Sequence, residues 1–319
     1  EHSIERCLCI GRITLCNFQI CSFIVFNKFK MNQDNPKITR DDLKAWYDGY
    51  SAKSGEHIYN PRSVVAALTN NNLGNYWTSS GPYDEIYYYI DHNIDAVRDD
   101  LARMISGIPV PANIREYAAT SMNLTNKNEI FSAMTIYGFL SYEKGCIQIP
   151  NHELMERFDD MLCKEPSLGY VHQLAQESER MLHATLIGDT ETMLDILESA
   201  HNTEIPLLSY NNETDLTAMV NLIYLAARDS YRIEREDKAG IGYVDFIFYP
   251  ERKNADGIIL ELKVDSMPGK AIEQIKDKRY DLRFLGKLGE DPKFTGRILA
   301  VGISYSRETK EHRCEVEVL

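Results

Sequence analysis

The chain has 319 residues, 44% of them hydrophobic and 26% charged, an ordinary globular composition with enough length for two domains that bury real cores. Its formal net charge of -13 argues against a protein that coats nucleic acid by bulk electrostatics, so any contact with a polyanion has to be local. Seven cysteines lack framework spacing, and Cys7, Cys9, Cys16 and Cys21 crowd the start, so the pattern fits a reducing, intracellular compartment, cytoplasmic or nuclear, better than a disulfide scaffold.

Residues 1–37 read as an anomalous or truncated N-terminal segment. Its apolar run Thr14 to Phe26 is interrupted by Asn17, Gln19 and Ser22, too short and too polar to span a bilayer, so no membrane association is expected. No basic start or small-residue cleavage site marks a signal peptide. Met31 to Lys37 forms a polar linker, after which Thr39-Arg40-Asp41-Asp42 caps a helix with acids in its first turn, and Leu43, Trp46 and Tyr47 follow at helical spacing. Asn60 caps and Pro61 opens a second helix, and Gly74-Asn75-Tyr76-Trp77 is a short extended aromatic piece. Trp46, Tyr47 and Tyr50 read as core or interface aromatics, with Gly49 in a turn.

Three separated elements, WYDGY (46–50), YNPRSVVAAL (59–68) and NYW (75–77), resemble the distal part of AAA-ATPase-like proteins that carry a C-terminal nuclease-like domain. The phosphate-binding loop G-x-x-x-x-G-K-[ST] of that family is absent from this sequence, so the resemblance does not extend to ATP hydrolysis. Asp84 to Ser106 and Asn126 to Leu140 read as helices. Phe139 to Pro150 reads as a hairpin turning at Glu143-Lys144-Gly145, and Asn151 caps a helix from His152 to Leu162. Helix, hairpin, helix and the Ile149-Pro150-Asn151 ending resemble the winged-helix-like lid of the same family, which assigns 38–165 to that region. Glu153, Glu156, Asp159 and Asp160 make its last helix too acidic to face phosphate. Leu174 to Leu186 and Asp189 to Ser199, separated by Gly188, form a helical linker over 166–205.

From 206 to 319 the pattern becomes helix, three strands, helix, strands. Asn212-Glu213-Thr214-Asp215 opens a helix with the stripe Leu216, Met219, Val220, Ile223 and Ala227, and Glu213 is placed on its inward side. Tyr231 to Glu236 and Gly242 to Tyr249 read as strands, with Asp245 as the single charge in the second. Gly257 to Val264 is apolar enough to be central, and strand alternation sets Glu261 and Lys263 on one face against Ile258, Leu260, Leu262 and Val264 on the other. Charges in a buried strand are either paired or used, because stripping their water costs roughly several kcal/mol. An antiparallel hairpin places Asp245 beside Glu261, and two carboxylates with a lysine suit hydrolysis of a phosphodiester assisted by a hard divalent cation. Lys270, Lys276, Lys278, Arg279, Arg283 and Lys287 form either a phosphate-facing surface or, with Glu273, Asp277 and Asp281, a solvated face. Arg297 to Tyr305 and Cys314 to Leu319 complete a mixed sheet.

Asn212-Glu213, Asp245, Glu261-Leu262-Lys263 and Gln274 to Tyr280 in this order resemble the PD-(D/E)XK nuclease superfamily, although Val244 stands where the motif has proline. The resemblance implies an α/β (α+β) fold with a restriction-endonuclease-like mixed sheet flanked by helices. It implies a nuclease using Mg²⁺, with Mn²⁺ as a substitute. Asp245, Glu261 and Glu213 would be metal ligands. Lys263 would be the catalytic lysine, Gln274 would support the site, and Tyr280 and Lys278 would contact nucleic acid, DNA being the expected partner. The alternative is a catalytically inactive nuclease fold serving as a binding or regulatory module.

Overall fold

The computed structural model of the chain describes residues 38–51, 57–77, 90–91, 93–114, 124, 126–202, 213–235, 244–284 and 296–319. The expected segment 1–37, the Asp84 side of the expected helix and Lys287 lie outside these residues. Two compact units divide the chain, one drawing on Glu1–Tyr88, Ala112–Ser121 and Asn128–Arg157, the other on Tyr89–Pro111, Met122–Lys127 and Phe158–Leu319. Among the described residues no helix is long and apolar enough to cross a membrane.

In the first unit, α1 (Arg40–Tyr47) starts with a reciprocal cap: Asp42 N donates to Thr39 Oγ1 at 3.1 Å, and Thr39 N donates to Asp42 Oδ2 at 2.7 Å. After the short pair β1 (Tyr50–Ser51) and β2 (His57–Ile58), α2 (Pro61–Asn70) begins as its sequence dictates, with Asn60 Oδ1 accepting from Arg62 N at 3.2 Å. These two helices bury Leu43, Tyr47, Val64, Ala67 and Leu68 together. Tyr47 donates from its hydroxyl to the Gly74 carbonyl and Tyr50 from its own to that of Gly138, so both aromatics serve the packing. Gly49 sits at φ +121°, and a Cβ there would lie 1.7 Å from the Pro150 carbonyl oxygen, so only glycine passes this point.

The organising polar group of this unit is Glu153, which is wholly buried. Its Oε1 accepts from Ser63 Oγ, Tyr76 N and Trp77 N, each at 2.8 Å, tying the aromatic segment to α2.

Further along the chain come α3 (Ile94–Ile105), β3 (Val110–Pro111) and α4 (Lys127–Ile136). α4 stops four residues short of the expected Leu140 because Gly138 turns out of the helix at φ +82° with the Trp77 ring against it. The hairpin of β4 (Ser141–Glu143) and β5 (Cys146–Gln148) reverses through Lys144 and Gly145, both at positive φ, as a two-residue turn requires. α5 (His152–Lys164) is capped by Asn151, whose Oδ1 accepts from Leu154 N at 3.2 Å.

The second unit packs α6 (Tyr170–Ile187), α7 (Thr190–Asn202) and α8 (Glu213–Ile223) around a five-stranded mixed sheet. Gly188, left-handed at φ +72°, ends α6, and Asp189 caps α7 through Thr192 N at 3.1 Å. Leu216, Met219, Val220 and Ile223 of α8 are buried as the stripe predicts. The sheet consists of β6 (Tyr231–Arg235), β7 (Phe246–Pro250), β8 (Gly257–Val264), β9 (Ile298–Tyr305) and β10 (His312–Val318), in the order β10-β9-β8-β7-β6. Neighbours are antiparallel except β8 and β9, whose parallel pairing needs the crossover through α9 (Pro268–Asp277). Tyr224 packs on Phe248 on one face, and Ile272, Ile275, Tyr280 and Phe284 cover the other. The second strand departs from expectation: Val244 and Asp245 stand before β7 rather than inside it, Asp245 lying in a bend.

Glu153→Ala removes an acceptor from three donors and is expected to lower the stability of the first unit by about 3 kcal/mol. Glu153→Gln keeps an oxygen for those donors and should lose less than half as much in denaturant titration; equal losses would contradict the role assigned to Oε1.

Candidate active site

Strand alternation sets Gly257, Ile259, Glu261 and Lys263 on the face that meets α9, where Ile259 joins Ile272, Ile275 and Ala300 in one cluster. Glu261 is therefore a carboxylate in the middle of a core, 3% exposed. On one side of it the β7–β8 register runs Phe248↔Ile258, Ile247↔Ile259 and Phe246↔Leu260, and one further step brings Asp245 opposite Glu261. Asp245 has already left the strand, and its Oδ2 accepts the Leu262 backbone N–H at 2.7 Å, so a side chain replaces the next ladder bond.

On the other side Glu261 pairs with Gly302 of β9. A Cβ at Gly302 would lie 2.4 Å from the Pro268 carbonyl oxygen and 3.2 Å from Ala271 Cβ, so the missing side chain is what lets α9 lie down on the sheet here. The helix then delivers Gln274, which donates from Nε2 to Glu261 Oε1 and whose side chain also hydrogen-bonds with Tyr280. Lys263 Nζ donates to the same oxygen at 2.9 Å.

Burial and, second, the Asp245 charge push the Glu261 carboxyl up to about 7, against the lowering effect of Lys263. Tyr280 is 2% exposed, and burial raises its phenol above the ordinary value. Glu261 Oε2 is buried with no hydrogen-bond partner, while Oε1 receives both donors. An orphaned carboxylate oxygen beside a second carboxylate fits a hard cation as its missing partner.

Of the residues expected at a site, the fold brings together Asp245, Glu261, Lys263, Gln274 and Tyr280. It leaves Lys278 at the exposed C-terminal end of α9, where no described contact joins it to the carboxylates. Glu213 is the first residue of α8, and its side chain lies outside the described residues. No group of three or more His, Cys, Asp or Glu able to hold a metal occurs among the described residues; at this site Asp245 and Glu261 stand as two neighbouring carboxylates. Gly302 went unread as a site residue, although an isolated glycine in the apolar run Ile298 to Tyr305 signals close backbone approach.

A family model described as the PD-(D/E)XK nuclease superfamily matches residues 213–311, so a domain of that superfamily occupies this stretch. Neither the curated proteins nor the solved structures compared with the chain gave a match.

A carboxyl raised from 4.5 to about 7 keeps its proton in the folded state when the unfolded state has lost it, so stability falls as pH rises through that window, by up to roughly 3 kcal/mol. In chelator, Glu261→Gln should therefore melt above the wild type at pH 8 and close to it at pH 5. Identical pH profiles of melting temperature would refute the strain placed on Glu261.

Proposed function

We propose that the domain within 206–319 is a metal-dependent nuclease that hydrolyses phosphodiester bonds of nucleic acid, DNA being the substrate we favour. The observation that carries this reading is the orphaned Glu261 Oε2 beside Asp245, with the ammonium of Lys263 on the same face. Asp245 and Glu261, with Glu213 as a further candidate, would hold Mg²⁺ or Mn²⁺. Such an ion supplies neutralisation of phosphate charge and a water of lowered pKa.

The chain's own groups do the rest. Gln274 and Lys263 fix the Glu261 carboxylate through Oε1, which leaves Oε2 to face a ligand. Lys263, with a side chain 22% exposed, reaches both the carboxylate and solvent; moved from Oε1, its Nζ can hold an attacking water or a phosphate oxygen through charge-assisted bonds. Tyr280 hydrogen-bonds the Gln274 side chain and so helps to set its amide. The two-carboxylate cluster also suits a second reading, a nuclease fold retained as a binding or regulatory module. We read 38–165 as the distal, winged-helix-like region of an AAA-ATPase-like protein, with 166–205 as linker, in an intracellular setting; the β4–β5 hairpin between α4 and α5 supports it.

Purified protein should cut single-stranded or duplex DNA in Mg²⁺, and Glu261→Ala, Asp245→Asn and Lys263→Ala should each lower the rate about 100-fold or more with unchanged circular dichroism. Background cleavage shared by the wild type and all three variants would sink the enzyme reading. Binding of DNA indifferent to divalent ions would favour the module.

A further inference from the structure

Residues on the α9 face of the sheet fall into cross-strand rows of one sign. Glu261 of β8 pairs with Gly302 of β9, and Gly302 with Glu315 of β10. Two residues on, at the next position of the same face, Lys263 pairs with Ser304, and Ser304 with Arg313. An acidic row that contains the cluster is thus followed, toward the ends of β8 and β9, by a row with a cation at each end and the buried Ser304 between them.

Arg313 is held more loosely than the arginines of the neighbouring loops. Arg307 is closed on Asp265 by backbone and side chain, and Arg297 on Asp256 in the same manner. Arg313 instead donates to Met267 Sδ at 3.2 Å and sits 3.4 Å from Glu311, with half of its side chain exposed. The carboxylate two positions along on its own face, Glu315, lies against Gly269 in the first turn of α9, with Oε2 3.3 Å from where a Cβ would be. An exposed pair of that length contributes under about 1 kcal/mol, so little holds the guanidinium in its resting place. In a chain of net charge -13, a polyanion reaches a carboxylate cluster only where cations locally reverse the field.

We propose that Arg313 is a phosphate-contact residue of the nuclease site, gripping a nucleotide that flanks the bond to be cut. The strand runs from Lys263 across Ser304 to the edge strand β10. Two strand spacings separate the row's ends, about 10 Å, a span of roughly three nucleotides along a strand axis. A planar guanidinium suits the forked hydrogen bonding of a phosphate.

This inference rests on the nuclease reading, and the test separates the two. Cleavage is assayed in Mg²⁺, and binding of a fluorescein-labelled DNA oligonucleotide is followed by anisotropy with Ca²⁺ in place of Mg²⁺, over about 50–200 mM salt. Arg313→Ala and Arg313→Gln should bind about fivefold to tenfold more weakly, raise KM with kcat within about twofold, and reduce the slope of log K against log salt by about one. Arg180→Ala, which removes an exposed cation from α6, should change none of these. If the wild type cleaves and the Arg313 variants keep its KM and salt slope, or if Arg180→Ala loses as much, the phosphate role is overturned and the nuclease reading stands. If the wild type neither binds nor cleaves DNA or RNA, both fall.

Discussion

A single ionisable carboxyl, that of Glu261, is set in the centre of a five-stranded sheet, and the second unit is arranged around that burden. A carboxylate with core on both sides is sustained only by donors and partners close at hand. Lys263 and Gln274 supply donors to one of its oxygens, while Asp245 presses its charge from the bend that leads into β7 and opposes ionisation. The result is a group poised near neutral pH between its charged and uncharged forms, which is the condition in which a cation or substrate can tip its state.

Backbone proximity is the second constraint. α9 approaches the sheet over Gly302 more closely than any side chain would permit, and this approach fixes the height at which Gln274 meets Glu261. Gly257 acts likewise at the other end of β8: a Cβ there would lie 2.3 Å from the Phe284 ring, which packs on Tyr249. Two glycines on one face of the β8–β9 pair thus set how α9 and the turn after it bear on the sheet. At the β6 edge, Arg232 lies over Tyr249 at 4.6 Å and pairs with Glu234 at 2.7 Å, charges that discourage a further strand from adding there.

Much of this was legible in the chain. The alternation of Gly257 to Val264 gave the strand, its central place and the common face of Glu261 and Lys263, because a period of two survives any packing detail. Asp245 was placed beside Glu261 correctly but inside a strand, since hydrophobic pattern does not reveal that a side chain has taken over a ladder bond. The reach of Gln274 depends on how closely a helix lies on a sheet, a distance no spacing encodes. Arg313 belongs to the Lys263 row through the pairing of β9 with both its neighbours, a register invisible until the strand order is known.

The parallel pairing of β8 with β9 also makes the burial of the cluster depend on a part of the chain that follows all of its members. Asp245, Glu261, Lys263 and Gln274 are all present once the chain extends to the end of α9, yet at that length β8 is still an edge strand, open to water along the side where β9 will pair. Pairing with β9 sets Gly302 opposite Glu261, so the burial that strains the carboxyl is complete only when this non-local, parallel contact is made. Whatever neutralises that carboxyl, a proton or a bound cation, therefore also stabilises the completed sheet.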